Sequence, residues 1–220
     1  PCQAAPPSVY ACYAVAYVPV AALALASFEI APWLPTLVLF LAKPWLDRTI
    51  LFVLSRAAFG QTTTPQEVWE AQRRVWWSQF LLTWTWRRLS PWRSFTQPVY
   101  QLEGLPVGKI RRRVAQIRRR KLGAGLLMTG AFATAESCLV ITLMSFLFWF
   151  APGDTAPDLS VLLFDEQSVL LESASAIAYA IVIAFLEPFY VAAGFAMYLN
   201  RRAELEAWDV EQELRRAFAV

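Results

Sequence analysis

Four stretches of the chain, residues 9–28, 34–54, 126–150 and 169–199, are apolar almost throughout, and a segment dense in arginine and tryptophan separates the second from the third. The apolar side chains fill whole runs; they do not mark one face at helical period or every second position of a strand. About 20 such residues in a helix match the ~30 Å hydrocarbon core of a bilayer. Hydrocarbon offers no hydrogen bonds, so a spanning backbone must be helical or a closed barrel, and the ten-residue alternation of barrel strands is missing. The pattern predicts an all-α membrane protein, a bundle of about four transmembrane helices in two hairpins. Residues 1–59 form the first hairpin, 60–122 a basic, aromatic-rich set of cytoplasmic or interfacial helices, 123–202 the second hairpin, and 203–220 an amphipathic cytoplasmic tail.

Local signals refine these bounds. Glu29, Pro32 and Trp33 combine a charge, a helix breaker and an interfacial aromatic, which suits a turn at the membrane surface. Thr64, Pro65 and Glu67 have the spacing of an N-cap, an N1 proline and an N3 acid. Trp69, Trp76, Phe80 and Trp84 then recur at helical spacing between arginine pairs, as in a helix lying at headgroup depth. Ser90-Pro91 opens another short helix, and Gly104, Pro106 and Gly108 break the chain after it. The fourth apolar run is 31 residues, longer than one straight crossing needs, so tilt or a break is expected. Asn200-Arg201-Arg202 closes it, and Leu205, Trp208 and Gln212 give the tail one face.

Composition agrees: 57% of residues are hydrophobic and only 17% charged, where a soluble domain runs near 25% charged. The formal net charge of +3 implies no partner, but its distribution implies a topology. Between residues 56 and 121, fourteen Lys and Arg face three acids, whereas residues 151–172 hold five acids and no base. The positive-inside rule puts the basic loop and both termini in the cytoplasm. Histidine is absent and Cys2, Cys12 and Cys138 share no metal-type spacing, so no cofactor, metal or disulfide framework is expected. The chain opens Pro-Cys-Gln without an initiator Met or a basic stretch ahead of its first apolar run, which reads as a fragment or processed chain and not as a signal peptide.

Apart from Glu172 at the start of the fourth run, five charges fall inside the apolar runs: Lys43, Asp47, Arg48, Glu136 and Glu187. Each costs about 2.5 to 3.5 kcal/mol at a helix centre on insertion scales, so they should face one another or a wet cavity. Lys43-Pro44-Trp45 is echoed by Glu187-Pro188-Phe189, an ionisable residue, a proline and an aromatic in corresponding spans. Pro-interrupted spans at matching positions of two halves point to a binding site in transporters, and the echo pairs Lys43 with Glu187. The plainer reading is two packing kinks, with Lys43 snorkelling to an interface.

Lys109, Arg111, Arg112, Arg113, Arg118, Arg119, Arg120 and Lys121 form a second cluster. Ile110, Val114 and Ile117 give it an apolar stripe, as a helix resting on anionic lipid headgroups needs. Topogenic charge explains it equally, and nucleic acid is not expected as a partner, since no recognised binding module accompanies it. No phosphate loop, nucleophile elbow or CxxC pair is present, so no enzymatic activity is expected.

The stretches 41–48 and 54–60, Trp86-Arg87-Arg88-Leu89-Ser90-Pro91, and Glu187-Pro188-Phe189-Tyr190 onward to Asn200-Arg201-Arg202 resemble a family of uncharacterised bacterial inner-membrane proteins. That family is encoded near MoxR-type ATPase genes and often carries a C-terminal domain of unknown function that these 220 residues lack. The resemblance implies a bacterial inner membrane, partners among other membrane proteins of the same system, and no catalytic residue. The function expected is a non-enzymatic subunit or anchor of an envelope assembly. The alternative is a small transporter or lipid-handling protein built on the Pro-broken spans.

Overall fold

The structure, a computed structural model, describes residues 6–77, 90–150 and 169–218. These are helical or in short turns, and no strand occurs among the described residues. The helices are α1 (Pro6–Ala26), α2 (Leu34–Ala58), α3 (Pro65–Trp77), α4 (Arg93–Leu102), α5 (Val107–Arg118), α6 (Leu122–Phe150) and α7 (Val169–Phe218). Most of the expected acidic loop, Phe80 and Trp84 of the expected interfacial helix, and Trp86 to Leu89 lie outside the described residues.

Among the described residues, three segments are long and apolar enough to cross a membrane: Val9–Glu29, Leu122–Phe146 and Leu171–Ala207. The 25 residues of α2 are long enough, at roughly 37 Å, but carry Lys43, Asp47 and Arg48 in mid-helix. The helix is nevertheless continuous, as is α7 through Pro188, so neither span is broken at its proline. Gly60 stops α2: at φ +75° its N–H meets Ala57 O while that of Gln61 meets Arg56 O, satisfying the last carbonyls. The cap expected at Thr64 forms, with its hydroxyl accepting the Glu67 N–H at 3.3 Å.

Helix α7 is the axis of the bundle, in contact with α1, α2, α4 and α6. Tyr10, Tyr13 and Tyr17 share one face of α1. Their hydroxyls donate to the carbonyls of Phe185 at 3.4 Å, Ile183 at 3.5 Å and Ala180 at 2.5 Å. The falling order of acceptors makes α1 antiparallel to α7. Pro188 has no N–H for the Ala184 carbonyl, and two of these hydroxyls land on either side of that gap.

Three expectations need correction. The fourth run and the tail are one helix of 50 residues. No Gly or Pro follows Asn200, and Arg201–Glu204 at 2.8 Å and Arg202–Glu206 at 2.5 Å bridge successive turns through the basic stretch. Second, the stripe Ile110, Val114 and Ile117 is buried in the protein's own core and does not rest on a leaflet. Third, α4 is no surface helix: Ser94, Phe95, Thr96, Pro98 and Val99 are buried, and it lies against the middle of α7, meeting Glu187 and Gly194. A Cβ on Gly194 would stand 2.5 Å from that of Ser94, so α4 approaches α7 closely because residue 194 has no side chain.

Candidate functional site

Four of the charges expected to face one another, Lys43, Asp47, Glu136 and Glu187, converge. Lys43, one helical turn above Asp47 on α2, places its Nζ 2.6 Å from both carboxylate oxygens of Glu136 on α6 and 3.7 Å from Glu187 Oε2 on α7. Asp47, Lys43 and Glu187 are 0%, 7% and 4% exposed, so these charges have left water for one another. Burial of this kind holds only when partners and geometry are good. Pro44 and Pro188 are buried beside them. Arg48 is also buried, and its backbone carbonyl accepts from Gln101 Nε2 at 3.0 Å.

The fourth element is Arg93, which sequence reasoning missed. It stands at the start of α4, with Nη2 3.1 Å from Glu187 Oε1 and Nε 2.8 Å from Asp47 Oδ2. The second contact is an ion pair by distance only: the Nε–H is not aimed at the oxygen, and neither atom gains a hydrogen bond. Burial alone would lower the guanidinium pKa, but the Asp47 and Glu187 carboxylates outweigh it and hold it above its usual value. Tyr190 and Tyr179 offer ring faces to Arg93 and Lys43 at 5.6 and 5.4 Å. One signal for Arg93 was present: α4 has apolar or small residues at 94, 95, 98 and 99, the spacing of a buried face.

A cleft of about 300 Å³ opens between α2 and α6, with Lys43, Arg93, Glu136 and Glu187 in its wall. Phe132 and Tyr190 line it, meeting edge to face at 5.4 Å between ring centres. Phe40 on α2 and Ala133 on α6, both exposed, line it, so it opens on the flank of the bundle. Glu136, with a side chain 24% exposed, is the least enclosed of the carboxylates in the wall. The cleft presents both signs of charge beside aromatic rings, which suits a ligand carrying an ammonium and an anionic group.

The basic cluster is divided. Arg113 binds Glu103 at 3.0 Å, Arg118 stacks 4.0 Å over the Trp92 ring, and Lys121 reaches Glu204 at 2.9 Å. Lys109, Arg111, Arg112, Arg119 and Arg120 are exposed. The helix ends at Arg118, and Arg120 takes a positive φ of 70° in the turn into α6.

No family model, curated protein sequence or solved structure matches the chain.

Proposed function

We propose that the chain is a four-span membrane protein that handles lipid, taking a zwitterionic headgroup into the cleft between α2 and α6. The observation that carries this reading is a charged cleft reaching both Lys43 and Glu187 from the apolar flank of the bundle. A phosphate would meet Lys43 and Arg93, and an ammonium would meet Glu136 and the rings of Phe132 and Tyr190. Small-molecule clefts begin near this size, about 300 Å³.

Four crossings follow if α2 spans with its charges turned inward, and the antiparallel course of α1 and α7 fits an even number. The basic loop and both ends are then cytoplasmic, and the five exposed cations of residues 109–120 meet anionic headgroups of a bacterial inner membrane. No reaction is assigned to the site.

Native mass spectrometry of the protein released from mixed-lipid nanodiscs tests this. Phosphatidylethanolamine or phosphatidylcholine should be retained over diacylglycerol, and Lys43→Met and Glu136→Gln should each reduce retention. Lipid retention blind to headgroup and to both substitutions would refute it.

A second reading, a subunit or anchor of an envelope assembly, draws on α6. Leu126, Leu127, Ile141, Phe146, Trp149 and Phe150 are exposed along it. Photocrosslinkers at Leu127 and Ile141 should capture a membrane protein in cells under this reading, and lipid alone under the first.

A further inference from the structure

We infer, resting on the headgroup reading above, that the cleft selects a quaternary over a primary ammonium, so that the headgroup it takes is phosphocholine, and that Phe132 is the residue that makes the selection. The two cations differ in what they ask of a site. A primary ammonium carries three N–H donors and, once out of water, needs an acceptor for each. A quaternary ammonium has no donor. Its charge is spread over methyl groups, and ring faces with a negative field nearby suffice to hold it.

The carboxylates in the wall of the cleft are already engaged. Both oxygens of Glu136 accept hydrogen bonds from Lys43 Nζ at 2.6 Å. Glu187 Oε1 accepts one from Arg93 Nη2 at 3.1 Å, and its Oε2 lies 3.7 Å from Lys43 Nζ. A primary ammonium reaches either carboxylate only by standing beside the Lys43 ammonium or the Arg93 guanidinium. Like charges repel strongly at such separations when water is excluded. A quaternary nitrogen, kept further out by its methyl groups, still feels the field of both carboxylates and displaces no hydrogen bond.

Rings stand where such a cation needs them. Phe132 and Tyr190 meet with centres 5.4 Å apart and planes inclined at 66°, so they form a corner of two aromatic walls, and Phe40 lines the same cleft from α2. Tyr190 already lies under the Arg93 guanidinium, 5.6 Å from the ring centre. No cation is set over Phe132 among the described residues. Phe132 is also four residues before Glu136 on α6, so its ring and that carboxylate are neighbours on one face of the helix. A ring beside a carboxylate whose hydrogen-bonding positions are occupied offers attraction to a cation without donors and little to one that has three.

Native mass spectrometry of the whole protein, released from nanodiscs with equal amounts of phosphatidylethanolamine, its monomethyl and dimethyl derivatives, phosphatidylcholine and diacylglycerol on the same acyl chains, reads the selection. Retention should rise with each added methyl group. Phosphatidylcholine should exceed phosphatidylethanolamine by roughly three- to thirtyfold, the factor expected of a cation held on ring faces. Phe132→Leu keeps the apolar bulk without the ring and should bring that ratio close to one, whereas Phe132→Tyr should preserve it. The methyl series in the wild-type protein needs no substitution and decides the question even where a variant fails to fold. Equal retention of all four headgroups above diacylglycerol, or a preference for phosphatidylethanolamine, overturns the selection and leaves the headgroup reading intact. Retention of none of them above diacylglycerol overturns both. A phosphatidylcholine preference that survives Phe132→Leu overturns the role given to Phe132.

Discussion

Arg93 Nη2 lies 3.1 Å from Glu187 Oε1, joining two residues 94 positions apart. One comes from a loop rich in arginine and the other from the apolar centre of the longest helix. The contact draws α4 into the bundle, because a guanidinium can reach two buried carboxylates at once where an ammonium serves as a point charge. Arg93 thereby ties α2, α4 and α7 together through Asp47 and Glu187.

Replacing Arg93 should therefore be more damaging than replacing any exposed arginine of α5. Arg93→Met leaves Asp47 and Glu187 without their strongest cation and should cost about 3 to 5 kcal/mol of stability. Arg93→Lys should recover only part of that. Thermal unfolding in detergent, followed by tryptophan fluorescence, measures both; equal behaviour of Arg93→Met and Arg111→Gln would contradict the contact.

Lys43 should couple more strongly to Glu136 than to Glu187, since the contacts are 2.6 Å and 3.7 Å. Double-mutant cycles with Lys43→Met, Glu136→Gln and Glu187→Gln give the two coupling energies. The Glu136 coupling should reach about 1 kcal/mol, near the upper part of the range for polar pairs in membrane proteins. Additive losses in the Lys43/Glu136 cycle would dissolve the pair.

The stripe on α5 provides a third test. Ile117 is 0% exposed, so Ile117→Ala should cost about 2 to 5 kcal/mol, whereas Arg111→Gln should stay within about 0.5 kcal/mol. A stripe that merely rested on lipid would leave the unfolding temperature of Ile117→Ala unchanged.

Gly194→Ala should disturb the seat of α4, since the added methyl would meet the backbone carbon of Ser94 at 2.6 Å as well as its side chain. A loss of about 1 to 3 kcal/mol is expected. Ser94→Gly cannot fully rescue it, because the backbone remains in the way. Faster amide exchange confined to residues 93–102 would report the release of α4.

For topology, single cysteines at Ile30 and Gln61, both exposed, sit at opposite ends of α2. In a cysteine-free background, an impermeant maleimide added to intact spheroplasts should label Ile30→Cys and spare Gln61→Cys. The reverse pattern would invert the proposed orientation.

The apolar runs announced the long helices because length and hydrophobicity are local properties. The inward-facing charges were legible too: Lys43, Asp47, Glu136 and Glu187 stood out against their surroundings, and the echo brought Lys43 to Glu187. It did not show that each has a nearer partner, Glu136 for Lys43 and Arg93 for Glu187. Arg93 was hidden because it is one of fourteen cations in a segment whose average charge reads as cytoplasmic. Averages erase single residues. The α5 stripe misled for a related reason: a face at helical spacing states that it will be covered, but not by what. Continuity of α7 past Asn200 was lost because an arginine pair marks where a membrane ends, which need not be where a helix ends.

That last distinction has a mechanical side. About 30 residues of α7 follow Pro188, some 45 Å of helix at 1.5 Å per residue, on a backbone that lacks one hydrogen bond at the proline. A bend of about 10° there would swing Phe218 through roughly 8 Å. Glu187 adjoins that pivot, so a rearrangement too small to see among the buried charges would be read out at the far end of α7 as a lever's stroke.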